Sequence, residues 1–234
     1  MNETKWERYG AGAGIAFVVL MVIGTFIVPM APHIDASTSR IVTYVTNHRH
    51  GLITSTLLGS VAVLAFLWFM GHLRHVLQRS ESGAEALSPM VFCSGVATAV
   101  LGMLSVLPMG TLAFMAGRPG DPTSPAVIRL LFDMNWMLGA MTGLAAGLFL
   151  VAGSLAMIRR EMVSPNVGWM GMLFAVLLWI SSAGDMYVHS YSRGLDVVGL
   201  IGFLGFLLWT LASSLAMYQH PEVERATTHQ AIFA

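Results

Sequence analysis

The sequence predicts an all-α, polytopic membrane protein of six transmembrane helices, with the N-terminus and C-terminus both cytoplasmic. Three observations predict it. First, six apolar runs, near residues 9–31, 51–71, 88–116, 126–158, 165–187 and 195–218, fill most of the 234 residues. Each supplies the roughly 20 residues of helix that a hydrocarbon core about 30 Å thick requires. Second, 56% of residues are hydrophobic, 10% are charged, and mean hydropathy is +0.71, whereas soluble domains carry about 25% charge. Third, with the N-terminus inside, Lys5, Arg8, Arg74, Arg79, Arg159, Arg160 and Arg225 are cytoplasmic, against Arg40, Arg49, Arg118, Arg129 and Arg193 outside. That bias has the sign found in membrane proteins.

The elements follow in order. Lys5 and Arg8 precede the first run as in a secretory signal, but the run is too long for a signal core. Pro29-Met30-Ala31 is also a poor cleavage site, so the run reads as a retained helix. Segment 32–50 has room for a short helix near 38–48, where Ile41, Tyr44, Val45 and His48 share a face suited to the membrane surface. Ser88-Pro89, Ser124-Pro125 and Ser164-Pro165 each set a capping hydroxyl before a proline at the first helical position. Gly194 is expected to end the fifth helix and Asp196 to cap the sixth. Residues 1–218 then form a single six-helix transmembrane domain, and 219–234 a polar cytoplasmic tail. Gly153-Ser154-Leu155-Ala156-Met157 echoes Ser213-Ser214-Leu215-Ala216-Met217 at the same end of the fourth and sixth runs.

Inside the runs, Gly139, Gly143 and Gly147 draw one line along the fourth helix, and Gly10 and Gly14 a shorter one on the first. Such lines let helices approach closely, and packing is their expected role. Met134, Met137 and Met141 lie on the other face. Thioethers can pass copper(I), but 17 scattered methionines read as gap-fillers.

Several function classes are excluded. Zero net charge removes the electrostatic drive for nucleic acid binding. Cys93 is the single cysteine, so no intrachain disulfide forms. No Walker loop, nucleophile elbow, His-Glu-x-x-His or Cys-x-x-Cys pattern occurs. No lysine lies within an apolar run, which removes a Schiff-base photoreceptor. Charge is missing from the inner two-thirds of every run, which argues against a primary ion pathway.

The sharpest signal is Ser181-Ser182-Ala183-Gly184-Asp185-Met186-Tyr187-Val188-His189-Ser190-Tyr191-Ser192. At helical spacing Ser181, Ser182, Asp185, His189 and Ser192 fall within an arc of about 100°, with Tyr187 and Tyr191 opposite. Asp185 is therefore expected to look into the bundle or a wet cavity near its outer edge. His50, Asp133 and Asn135 reach similar depth on other helices. The ligand-binding set expected is His50, Asp133, Asn135, Asp185 and His189. As an alternative, His50, Asp133, Asp185 and His189 would suit zinc or another divalent metal. The plain structural alternatives are an Arg129–Asp133 pair at i, i+4 and an Asp185–His189 pair. His72 and His75, beside Arg74, read as a solvated helix end.

Trp6-Glu7-Arg8, His48-Arg49-His50-Gly51, Phe66-Leu67-Trp68-Phe69-Met70-Gly71-His72-Leu73-Arg74, Leu131-Phe132-Asp133-Met134-Asn135 and Gly168-Trp169-Met170-Gly171 resemble a group of uncharacterised bacterial six-helix integral membrane proteins. The similarity runs to about residue 183 and includes Asp133 and Asn135 but not His189. It implies a bacterial plasma-membrane location and carries no activity with it.

The expected function is non-catalytic binding of a lipid-like or small amphipathic ligand, or of a partner helix, through an outer polar pocket. No cofactor is expected. A metal-dependent membrane hydrolase acting at the outer leaflet and a secondary carrier stay open as alternatives. The expected partners are the lipid bilayer, such a ligand, and a partner membrane protein or second copy of the chain.

Overall fold

The computed structural model describes residues 3–79, 87–116, 124–159, 164–187 and 192–219. They form seven helices: α1 (Glu3–Phe26), α2 (Thr38–Asn47), α3 (Arg49–Arg79), α4 (Leu87–Met115), α5 (Pro125–Arg159), α6 (Pro165–Tyr187) and α7 (Arg193–Gln219). No strand occurs among the described residues. Long apolar runs become helices because lipid offers no partners to peptide groups, and only the helix satisfies them within one segment. Five helices, α3 to α7, are long and apolar enough to cross a bilayer, the build of a multi-pass membrane protein. The apolar stretch of α1, Gly12–Phe26, is shorter.

The six long helices close into a ring. In turn α1 packs on α3, α3 on α4, α4 on α5, α5 on α6 and α6 on α7, and α7 returns to α1. Neighbours run antiparallel. Gly143 and Gly147 of α5 face Ser182 and Trp179 of α6, while Ser154 and Ile158 further along α5 face Gly171 and Gly168. The short α2 packs against α3, α4 and α5, burying Ile41 and Val45. This end of the ring also carries the end of α1 and the start of α3.

Glycines set the spacing. Gly10 and Gly14 leave room on α1 for His72 and Phe69 of α3 and for Ser214 of α7. His72 thus packs against α1 and departs from the solvated helix end expected, whereas His75 is exposed as expected. Outward faces are apolar: Leu64, Leu104, Ile180 and Leu204 are all exposed. Met134, Met137 and Met141 are also exposed, so that line faces away from the bundle core. The echoed segments meet in space, Ser213 Oγ lying 3.4 Å from Met157 Sδ. Cys93 is exposed on α4.

Two capping expectations need correction. Ser88 lies inside α4 and is fully buried, so it caps nothing. Gly194 does not end the fifth run, because α6 stops at Tyr187 and Gly194 falls in the first turn of α7. The Asp196 N–H instead donates to Ser192 O at 3.2 Å, which places Ser192 at the cap and Asp196 within the helix. Ser124 and Ser164 do sit directly before α5 and α6, and their carbonyls accept the first helical bonds. The tail from 220 onward lies outside the described residues.

Candidate ligand cavity

Within the ring lies a cavity of about 480 Å³ to which all six long helices contribute. That volume falls in the roughly 300–1,000 Å³ range of small-molecule sites. Along α3 the lining runs from Ser55 to Phe66, about 16 Å at the rise of an α-helix. The register of the antiparallel helices gives it two unlike ends.

The deep end is aromatic. Phe17, Phe66 and Phe206 belong to its lining. The Phe17 and Phe66 ring centroids lie 4.8 Å apart, Phe66 and Phe206 5.8 Å, and Phe17 and Phe206 6.0 Å. Phe149 and Trp209 back this triangle from behind, their rings edge to face at 5.4 Å. These side chains come from α1, α3, α5 and α7, and the packed rings hold the apolar end in shape.

The end toward α2 is polar. Asp185, two residues before the end of α6, lines it together with Thr25, Ser55 and Ser105. Asp185 is the only ionisable side chain among the described lining residues. The hydroxyls nearby are already committed as donors. Thr25 donates to Met21 O at 2.8 Å and Ser55 to Gly24 O at 3.0 Å. Ser105 donates to Gly102 O at 2.8 Å and Thr142 to Leu138 O at 2.7 Å. Deeper in, Thr98 donates to Ser94 O at 2.8 Å, and Ser181 reaches Leu195 O at 3.5 Å. Ser182 sits where Gly143 leaves its Oγ space. Gly139 also lines the cavity, and a Cβ built there meets nothing within 4 Å.

Of the four expected site residues among the described ones, Asp185 alone is in this lining. His50 is exposed near the start of α3. Asp133 is engaged elsewhere: Arg129 Nε lies 2.9 and 3.0 Å from its two carboxylate oxygens. The same guanidinium donates to Ala36 O at 3.0 Å and Ile34 O at 2.6 Å, so the pair anchors the segment leading into α2. Asn135 is half-buried on α5 and outside the lining. His189 lies outside the described residues. Among the described residues, no three His, Cys, Asp or Glu side chains gather as a group able to hold a metal ion. The zinc alternative therefore draws no support from His50, Asp133 and Asp185.

The residues missed were small ones. Ser55 with Gly59, Gly102 with Ser105, and Gly139 with Thr142 and Gly143 recur at helical spacing inside apolar runs and at matching depth. That pattern, taken across several helices together, was the available signal.

A second, shallower recess lies between segment 30–33 and α2, lined by His33, Arg40, Tyr44 and His48 among others. Tyr44 donates its hydroxyl to Pro29 O at 2.7 Å across it. His33 Nδ1 lies 3.7 Å from Asp196 Oδ2 on α7.

In comparisons with known proteins, no family model, no curated protein and no solved structure matches the chain.

Proposed function

We propose that this chain is a six-span membrane protein that holds a small amphipathic or lipid-like ligand inside its helix ring. The reading counts α1 as the sixth span, puts both termini in the cytoplasm of a bacterial cell, and places α2 and Asp185 at the outer face. The carrying observation is the cavity itself: about 480 Å³, ringed by all six long helices, aromatic at one end and holding Asp185 at the other. A two-ended cavity matches a two-ended ligand. Apolar burial supplies affinity, at about 25 cal/mol per Å² removed from water, and the few polar groups fix orientation.

The lining is mostly apolar with a few polar groups, the composition that suits binding and orienting a small ligand. The test is native mass spectrometry of the protein released from mild detergent, beside Gly139→Leu. Leucine grows into open space at that position and takes up part of the cavity that Gly139 lines. A small molecule retained by the natural protein and lost from Gly139→Leu supports the reading. Equal retention by both, or none by either, rejects it.

A further inference from the structure

We infer that the cavity selects an organic cation, a primary or secondary ammonium group carried on an apolar body. The inference rests on the cavity being a ligand site and names the class of ligand it takes.

Donors and acceptors at the polar end are unequal in number. A hydroxyl has one hydrogen to give and two lone pairs. Thr25, Ser55, Ser105 and Thr142 have each given theirs to a backbone carbonyl, so they face the cavity as acceptors. Helical N–H groups are consumed in the i to i−4 ladder. An ionised Asp185 is also acceptor-only. Among the described lining residues, Ser182 is the one hydroxyl on this side not already committed as a donor, so their side chains offer the polar end few donors.

A ligand must therefore bring donors, and a carboxylate in a low-dielectric site calls for positive charge as well. An ammonium group satisfies both needs. A carboxylate or phosphate fails twice, by lack of donors and by like charge. At the far end, Phe17, Phe66 and Phe206 line the space left for an apolar body.

The test uses three probes of one shape: 4-phenylbutylamine, 4-phenylbutanol and 4-phenylbutyrate. Binding to the full chain in nanodiscs is measured by calorimetry at neutral pH, with empty nanodiscs as the blank. The expected order is amine, then alcohol, then carboxylate, with the amine ahead of the alcohol by about tenfold, equivalent to 1.4 kcal/mol. Asp185→Asn should remove most of the amine's advantage over the alcohol. Equal binding of amine and alcohol, or a preference for the carboxylate, overturns the inference. The ranking on the natural protein decides this even if Asp185→Asn does not fold. Gly139→Leu separates the two readings. If it blocks all three probes while no amine preference exists, the cavity stands and its cation selectivity falls. If no probe binds, or Gly139→Leu binds as the natural protein does, both fall together.

Discussion

Trp179 on α6 donates its indole N–H to the carbonyl of Leu144 on α5 at 3.0 Å. It reaches that carbonyl because Gly147, one turn along, leaves the space its ring fills. A Cβ at Gly147 would run into the indole ring of Trp179. Gly147→Ala is therefore expected to destabilise the α5–α6 contact by about 1–3 kcal/mol, the usual cost of overpacking. Gly139→Ala, whose Cβ meets nothing within 4 Å, should be neutral or gain about 0.5–1 kcal/mol from helix propensity. Unfolding of the two variants in a denaturing detergent checks both signs.

Arg129 ties three things together: the Asp133 carboxylate and the carbonyls of Ala36 and Ile34. The ion pair is partly exposed, at 37% and 45% for the two side chains, so it contributes at most about 1 kcal/mol. The carbonyl bonds matter more, since hydrogen bonds to a charged donor are worth about 1.5–3 kcal/mol. Arg129→Ala should release segment 33–37 and speed its amide exchange. Asp133→Asn, which leaves both carbonyl bonds in place, should do so far less. Exchange mass spectrometry reads the difference. Equal acceleration by the two variants would assign the anchoring to the ion pair.

The helices were legible in the sequence because hydrocarbon leaves peptide groups one way to be satisfied. Thus α4, α5, α6 and α7 fall within two residues of the apolar runs. The amphipathic face of Ile41 and Val45 marked α2 equally well. The expected pocket was less legible, because the sequence gives depth along each helix but not the angle at which neighbours meet. Asp133 shares the depth of Asp185, yet it turns to Arg129 and the segment before α2. His50 shares it too, yet it stays exposed. Asp185 could be placed because five polar residues of one segment fixed the face on which it lies. The aromatic end had no such signal: Phe17, Phe66 and Phe206 are ordinary apolar residues until ring closure puts them side by side.

Burial raises the Tyr44 hydroxyl above its ordinary pKa of 10.0, and the protonated hydroxyl donates to Pro29 O at 2.7 Å. With the folded value above the unfolded one, this contribution is complete below pH 10.0 and is lost as pH climbs through the folded value. The melting temperature should therefore fall between about pH 9 and about pH 11, and by less in Tyr44→Phe. Parallel pH profiles for the two proteins would remove Tyr44 from the account.

The proposed topology has its own check. Cys93 is the single cysteine, so Cys93→Ser yields a background free of thiols. Thr46→Cys on the exposed side of α2 should react with a membrane-impermeant maleimide added to intact cells. Thr228→Cys in the tail should react only after the membrane is opened. The opposite pattern reverses the orientation, and reaction of both in intact cells leaves an even number of spans between α2 and the tail.

The most direct measurement concerns which way one side chain faces. With a nitroxide spin label at position 185 and another at position 180, electron paramagnetic resonance reports mobility and collision with oxygen dissolved in the acyl chains. Ile180 is exposed on the outward face of α6, whereas Asp185 lines the interior. The label at 185 should be immobilised and shielded from oxygen, and the label at 180 mobile and accessible. Matching oxygen accessibility at the two positions would place Asp185 against lipid and leave the ring without its polar end.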